Sequence, residues 1–231
     1  MKTRTGKNGQ LGVDRKKHSR AVILCNGAYP RKRFWKKYLT EDSFIVCADG
    51  GANTAKKMNI IPDVIIGDFD SITRETHRYF ERKKAVEMLR RSSQEETDLE
   101  KAMKHIRRKK IHQIVIIGAT GGLIDHTFGN LSILGRYCDA FDILIIDAQY
   151  KMRFITSKID VHTTPGERIS LIPFPSASGI TTSGLKYELH HEGLALGKRE
   201  GTCNEAKASQ VMIEIKQGLL LIFYPLNART V

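Results

Sequence analysis

Short apolar runs alternate with stretches of mixed polarity through the first two thirds of the chain. The apolar runs lie at residues 21–25, 43–48, 63–67, 111–118 and 143–147. Each has the length and composition of a buried strand. Helices are predicted between them at residues 52–59, 73–91, 97–109 and 125–137, the third opened by a T-x-x-E capping box at Thr97 and Glu100. Apolar strands that alternate with helices predict a parallel sheet covered on both faces.

The pattern changes after about residue 148, where no helical periodicity remains. Strands are predicted at residues 152–155, 168–172, 179–189, 209–216 and 218–224, with a hairpin turn at 216–218 between the last two. The expected fold class is α/β, with a parallel-sheet Rossmann-like N-terminal domain and a C-terminal all-β sandwich domain. We place a basic mobile arm at residues 1–19, the α/β domain at 20–148 and the β domain at 149–231.

The net charge of +13 over 231 residues first suggests a nucleic-acid partner. Its distribution weakens that interpretation, because residues 1–40 hold 12 Lys and Arg against one acid, whereas residues 41–73 carry a net charge of −4. Residues 74–110 are net +6 and the remainder is neutral. A nucleic-acid-binding role for the basic arm stays an alternative, and it predicts binding that weakens steeply with salt.

The four cysteines and the apolar runs bear on location. Cys25, Cys47, Cys138 and Cys203 lie far apart and show no metal-ligand spacing. No apolar run approaches the roughly 20 residues that span a bilayer, and the N-terminus lacks the apolar segment of a secretory signal. We therefore expect a cytoplasmic protein without a membrane partner and with reduced thiols.

Candidate chemistry lies in loops that follow the predicted strands, where open α/β sheets bind ligands. Asp68 and Asp70, in the segment GDFDS, would point the same way in an extended chain and would repel each other unless a cation lay between them. Mg²⁺ takes one or two carboxylates and completes its shell with water and phosphate oxygens. Asp98, at the start of the third helix, adds a further carboxylate.

Glycine pairs in two other loops suit phosphate groups. Gly50 and Gly51 follow the second strand, and Gly121 and Gly122 follow the fourth, each pair before a helix N-terminus that offers free N–H groups. His126 could act as an acid or a base, although a lone histidine is more often structural. These loops together predict metal-dependent phosphoryl chemistry on a nucleotide, and they leave the acceptor open.

The segments ADGGAN, PDVIIGDFDSI, QEETDLEKA, GATGGLIDHTFGNL and TTSGLKYEL, in this order, resemble the thiamine pyrophosphokinase (thiamine diphosphokinase) family over about residues 21–227. The resemblance implies transfer of a pyrophosphoryl group from ATP to the hydroxyl of thiamine, which gives thiamine diphosphate and AMP. It also implies Mg²⁺ and a homodimer with active sites between the subunits. The alternative is another Mg²⁺-dependent nucleotide hydrolase or phosphotransferase on the same scaffold.

The resemblance also implies residue roles. Asp68, Asp70 and Asp98 are expected to bind Mg²⁺, and Asp98 or Asp125 to accept the proton of the hydroxyl. The residues expected to bind nucleotide, phosphate or thiamine are Asp49, Gly50, Asn53, Gln94, Gly121, Gly122, Ser183, Tyr187 and Asn204. Three positions depart from the family pattern, because Leu123 stands where a basic residue is common, Tyr187 where a Trp is common, and Cys203 where a Ser precedes the Asn.

Overall fold

A computed structural model describes residues 18–230 of the chain. Most of the predicted mobile arm, residues 1–17, lies outside the described residues. The four α-helices of the described part are α1 (Gly51–Lys57), α2 (Arg74–Glu81), α3 (Asp98–Arg108) and α4 (Ile124–Tyr137), and two short 3-10 helices span Lys32–Phe34 and Lys36–Tyr38. The strands are β1 (Arg20–Leu24), β2 (Ser43–Ala48), β3 (Val64–Gly67), β4 (Glu87–Arg90), β5 (Gln113–Ile117), β6 (Asp142–Ile146), β7 (Tyr150–Ile155), β8 (Lys158–His162), β9 (Arg168–Ser183), β10 (His190–Ala195), β11 (Gly201–Glu205), β12 (Gln210–Glu214), β13 (Gln217–Pro225) and β14 (Arg229–Thr230). None of these helices is long and apolar enough to cross a membrane.

The first six strands form the predicted parallel sheet, in the order β6-β5-β1-β2-β3-β4. The apolar runs that predicted β1, β2, β3, β5 and β6 are confirmed, because these strands are covered on both faces. Alternate residues of β1 show this, since Val22 and Leu24 enter one core cluster whereas Ala21 and Ile23 enter the other. The helices and loops on the two faces shield these clusters from water.

The helix α3 begins as its sequence predicts. The Thr97 hydroxyl accepts a hydrogen bond from the backbone N–H of Glu100 at 3.2 Å, which satisfies one of the free N–H groups of the first turn. This cap fixes the start of the helix and therefore the place of Asp98 in its first turn.

The predicted helix over residues 73–91 is wrong in its second half. α2 ends at Glu81, and residues 87–90 form the edge strand β4, which pairs in parallel with β3. Because an edge strand is only half covered, β4 keeps charged residues at both ends, Glu87 and Arg90, and its composition looks helical. The strand is held from its first residue by a hydrogen bond from the Glu87 N–H to the Asp63 carbonyl at 2.9 Å.

The sheet continues into the second half of the chain through an antiparallel contact between β6 and β7. The chain is therefore a mixed α/β protein with one large hydrogen-bonded sheet. Two predicted strands, at 168–172 and 179–189, are parts of a single 16-residue strand, β9, that ends at Ser183. Four strands of the second half were not predicted, namely β8, β10, β11 and β14, because polar residues occupy many of their positions.

The predicted hairpin at residues 216–218 is also wrong. β12 and β13 do not pair with each other, and both pair antiparallel with β9, where Met212 faces Ser183 and Gln217 faces Ser178. The two strands therefore run in the same direction, one after the other, along β9. The chain bends at this point but does not reverse. The domain boundaries at residues 19, 148 and 231 stay a prediction.

Leu221 of β13 packs in a core that the two halves of the chain share. Leu221 is fully buried, pairs with Phe154 and Ile172 on the neighbouring strands, and belongs to the same cluster as Ile145 of the parallel sheet. Leu221→Ala should lower the free energy of unfolding by about 2–5 kcal/mol, measured by chemical denaturation.

The matched control is Leu196→Ala, whose side chain is 45% exposed. It should change the free energy of unfolding by no more than about 0.5 kcal/mol. Similar losses in the two variants would mean that Leu221 does not pack as described.

Candidate metal and nucleotide site

Two adjoining cavities lie where the parallel strands end. The first has a volume of about 530 Å³ and the second about 440 Å³. Both are lined by Ala48, Ser71, Asp98 and His126, so they form one cleft. The sequence predicted a site at this edge of the sheet, and the two cavities lie there.

Asp49 follows β2 directly and is 3% exposed. Its Oδ2 accepts a hydrogen bond from the Ser71 N–H at 2.9 Å, whereas its Oδ1 is buried and has no partner among the described residues. The neighbouring Gly67 makes room for this side chain, because a Cβ at residue 67 would lie 2.7 Å from the Asp49 Cβ and 2.9 Å from Oδ1. A buried carboxylate oxygen without a partner requires a proton or a cation.

Two further carboxylates complete a cluster with Asp49. One oxygen of each of Asp49, Asp68 and Asp70 lies within 4.8 Å of the other two. Asp68 accepts hydrogen bonds from the Asp70 N–H and from the Gln94 side-chain amide, both at 3.2 Å. The Ser71 hydroxyl donates to Asp70 at 3.0 Å. Hydrogen bonds from Ser71 and Gln94 thus orient the cluster.

The pKa values of two members of this cluster shift in opposite directions. Burial raises the pKa of Asp49, and the nearby Asp98 and Asp70 raise it further. The hydrogen bonds from the Asp70 backbone and from Gln94 lower the pKa of Asp68. The acidic groups repel one another at this spacing, so a divalent cation is the partner that their chemistry fits.

Asp98 lines both cavities, but it lies outside the tight cluster. Its Oδ1 accepts a hydrogen bond from the ammonium of Lys101 at 2.9 Å, and Lys101 is 6% exposed. Burial raises the pKa of Asp98, and Lys101 partly offsets that shift. The structure therefore gathers Asp49 with Asp68 and Asp70, where the sequence predicted Asp98 in that position, and a metal-binding role for Asp98 stays a prediction.

Of the other predicted residues near β2 and β3, some line the cleft and one holds a neighbouring loop in place. Gly50 lines the second cavity and Gln94 the first. Asn53 lines neither cavity, because its amide is used to hold the following loop. It donates to the Ser71 carbonyl at 2.8 Å and accepts from the Thr73 N–H at 3.0 Å.

Only some residues of the glycine-rich loop before α4 line the cleft. Asp125 lines the first cavity, and Gly122 and Leu123 line the second. Gly121 lines neither, and it has a structural reason to be glycine, because its φ is +79° and a Cβ would lie 2.3 Å from the Ala28 Cβ. His126 faces both cavities from the first turn of α4.

The predicted residues of the second half lie elsewhere. Ser183 ends β9, and Tyr187 lies in the following loop with 65% of its surface exposed. Asn204 is buried and fixes that loop, since it accepts from the Tyr187 N–H at 3.1 Å and donates to the Tyr187 carbonyl at 2.7 Å. Neither cavity has a lining residue from 149–230.

Sequence reasoning missed three contributors to the cleft. Lys101 was not singled out, although its spacing of three residues from Asp98 on a helix brings the two side chains together. Asn26 and Asn130, which line the second and first cavities, were also missed. The signal for Asn26 was its position directly after an apolar strand.

Comparisons with known proteins identify the same family in both halves of the chain. Residues 35–146 match the family described as thiamin pyrophosphokinase, catalytic domain, and residues 156–220 match thiamin pyrophosphokinase, vitamin B1 binding domain. Thiamine pyrophosphokinase 2 of Arabidopsis thaliana is 32% identical over 227 residues, covering 87% of this chain and 84% of the relative. Thiamine pyrophosphokinase of Bacillus subtilis is 30% identical over 189 residues, covering 80% and 88%.

Solved structures of thiamine pyrophosphokinases are also similar to this chain over most of its length. The crystal structure of the Bacillus subtilis thiamine pyrophosphokinase has a TM-score of 0.77 at 27% identity and covers 90% of this chain and 99% of its own. That of the Geobacillus thermodenitrificans thiamin pyrophosphokinase has a TM-score of 0.77 at 25% identity, covering 89% and 97%.

The close approach of Gly67 to Asp49 generates a prediction. Gly67→Ala should displace the Asp49 carboxylate and weaken the binding of Mn²⁺, used as a probe for Mg²⁺, by about tenfold or more, as expected when the supporting shell of a metal site is disturbed. Isothermal titration calorimetry measures the affinity.

Gly193→Ala is the control, because the nearest atom to its added Cβ, the Ala177 carbonyl oxygen, is 3.8 Å away. It should leave the Mn²⁺ affinity unchanged. Unaltered Mn²⁺ binding in Gly67→Ala would show that Asp49 takes no part in holding the ion.

Proposed function

The chain belongs to the thiamine pyrophosphokinase family, and we propose that the acidic cleft described above is where it carries out that family's reaction. The protein transfers a pyrophosphoryl group from ATP to the hydroxyl of thiamine, which gives thiamine diphosphate and AMP. The alternative of another nucleotide hydrolase or phosphotransferase is not favoured, because the family matches extend over both halves of the chain.

The single observation that carries the proposed site is the cluster of Asp49, Asp68 and Asp70 with its unpartnered buried oxygen. These three residues would hold Mg²⁺, and Asp98 stands beside them at the same cleft. A bound Mg²⁺ would neutralise the charge of the ATP phosphates during the transfer. Carboxylates with room for water and phosphate oxygens are the ligand set that Mg²⁺ prefers.

The chain's own side chains then position the reactants. Gly50 and Gly122 line the second cavity, where a nucleotide would lie against free backbone N–H groups. Asp125 lines the first cavity. We propose that Asp125 accepts the proton of the thiamine hydroxyl. The other candidate carboxylate, Asp98, is already paired with Lys101.

The second half would supply the thiamine contacts. Tyr187 offers an exposed aromatic face, which suits a cationic heterocycle, and Asn204 holds its backbone in place. Ser183 lies at the end of β9, just before the same loop. The departure from Trp to Tyr at residue 187 keeps the stacking face and reduces its area.

We further propose a homodimer in which the second half of one subunit reaches the cleft of the other. Two observations support it. No residue from 149–230 lines the cleft of its own chain. Three apolar side chains at the start of α4, Leu123, Ile124 and Phe128, are also more than half exposed beside it. A partner subunit would cover that surface and bring Tyr187 to the substrate.

Two finer proposals concern architecture and location. A Rossmann-like domain at 20–148 and a β-sandwich domain at 149–231 agree with the change from parallel to antiparallel pairing after β6. A cytoplasmic location agrees with the four free cysteines of the described chain, none of which is paired.

The reaction and its site are tested together by product analysis. Incubation with ATP and Mg²⁺ should release AMP only when thiamine is present, and Asp70→Asn should lower kcat by about 100-fold or more because charge stabilisation at the phosphates is lost. Chromatography of the nucleotides measures both effects.

Asp139→Asn removes an exposed carboxylate beyond the far end of α4 and should keep full activity. ADP as the product, or AMP release that ignores thiamine, would overturn the proposed reaction. Full activity in Asp70→Asn would remove that residue from the site while leaving the reaction standing.

The aromatic contact with thiamine gives a separate prediction. A cation–π contact contributes about 0.5–2 kcal/mol, so Tyr187→Ala should raise the KM for thiamine by roughly 3- to 30-fold. Tyr187→Phe, which keeps the ring, is the matched control and should stay near the wild-type value. Steady-state kinetics with varied thiamine decides, and equal KM values in all three proteins would exclude stacking on this residue.

A further inference from the structure

A further cavity, distinct from the two that form the cleft, lies behind the loop that precedes α3. We call it the basic cavity. Its volume is about 330 Å³. It is lined by Ile66, Arg91, Ser93, Glu96, Lys101, Lys104, His105 and Arg108. Four of these residues are permanent cations and one is an acid, so the cavity contrasts with the acidic cleft on the other side of the loop.

The basic residues of α3 share one helix face at a cost to stability. Lys101, Lys104 and Arg108 are spaced by three and four residues, which places their side chains one above another. Like charges at this spacing destabilise a helix. Arg91 adds a fourth cation from the end of β4. Such a concentration of charge is unfavourable unless an anion offsets it.

The carboxylates nearby neutralise only part of this charge. Lys104 pairs with Glu96 at 2.8 Å and with Glu100 at 3.7 Å, and Lys101 pairs with Asp98 at 2.9 Å. Within residues 18–230, neither Arg91 nor Arg108 has a carboxylate oxygen within 4.0 Å. The cavity therefore keeps two guanidinium groups, the donors that match phosphate oxygens best.

His105 gives a second, independent sign of missing hydrogen-bond partners. Its Nε2 is buried and has no partner in the described chain, and its ring stacks on Phe44 with the centroids 5.9 Å apart. Burial lowers the pKa of His105, and the positive charge of Lys109 lowers it further. The imidazole thus lies in a mainly positive field, which Glu87 offsets in part, and one of its ring nitrogens has no partner in the described chain.

We propose that this basic cavity is a binding site for a small phosphate-bearing anion, separate from the catalytic cleft. Arg91 and Arg108 would bind the phosphate oxygens, with Ser93 as a further donor. A concave site of this size fits an inorganic phosphate or diphosphate group better than it fits a nucleic-acid backbone. Glu96 and Lys101 line both this cavity and the cleft, so the two sites adjoin.

The test is a titration of the full-length protein with inorganic diphosphate in EDTA at low, fixed salt. Without a divalent metal, the cluster of Asp49, Asp68 and Asp70 repels anions, so binding in the cleft is suppressed. Calorimetry gives the affinity, and the NMR signals of the His105 ring report the place of binding. Diphosphate should bind wild-type protein and shift those ring signals.

The variant and its control remove the same charge. Arg91→Ala with Arg108→Ala takes two cations from the cavity and should weaken diphosphate binding by at least about tenfold, as expected for the loss of charge-assisted hydrogen bonds. Arg90→Ala with Arg107→Ala takes two exposed cations from the same segment that do not line the cavity, and should change the affinity by less than about twofold. All four arginines are exposed, so melting temperatures should stay close to wild type; Arg108→Gln alone is the milder variant if the double change impairs folding.

Further arms of the titration separate the sources of the phosphate group. Phosphate, metal-free ATP and thiamine diphosphate are compared with diphosphate, and dependence on Arg91 and Arg108 for any of them supports the site. Absence of binding, unshifted His105 signals, or equal losses in both double variants would overturn it. A single-stranded RNA that binds through these two arginines more tightly than every small anion would also overturn it, in favour of a nucleic-acid surface.

Discussion

The parallel strands β1, β2, β3 and β5 end at one edge of the sheet, and this shared edge is the constraint on which the site depends. Pairing is in register, so that Leu24 lies beside both Cys47 and Ile117. The loops that follow therefore leave the sheet side by side. Asp49 and Asp68, 19 positions apart in sequence, are brought together by the pairing of β2 with β3. The two carboxylates repel each other at this distance, and a cation can offset that repulsion. The pairing of the strands thus determines the place of the proposed metal site.

The same edge organises a separation of charge. The net charge of +13 suggests a basic protein, yet the proposed active-site cleft is lined by carboxylates, and the surplus of cations is partly gathered behind the loop at residues 94–97. Lys101 stands between the two regions, because it pairs with Asp98 in the cleft and also lines the basic cavity. The acidic groups that suit a metal ion are thus kept apart from the basic groups nearby, which would compete with it for the carboxylates.

Strands covered on both faces could be predicted from sequence, because burial makes every position after the first apolar, as in β1 and β5. The edge strand β4 could not, since half of it faces water and Glu87 and Arg90 give it a helical composition. Polar residues such as His190 and Glu192 concealed β10 in the same way. At the site, Asp68 and Asp70 do lie together as expected, but they lie in a turn in which Phe69 has a φ of +71°, not in the extended segment on which that expectation was based. The place of Asp49 in their cluster depends on strand order and on the missing Cβ of Gly67, which no local pattern reveals.

The place of the metal is the central claim, and anomalous scattering tests it most directly. A crystal of the protein grown with Mn²⁺, thiamine and a nonhydrolysable ATP analogue should show an anomalous peak within about 2.5 Å of carboxylate oxygens of Asp49, Asp68 and Asp70. Phosphate oxygens of the analogue should complete the coordination. A peak bound by Asp98 and Asp125 without these three residues, or no peak at the cleft, would contradict the proposed site.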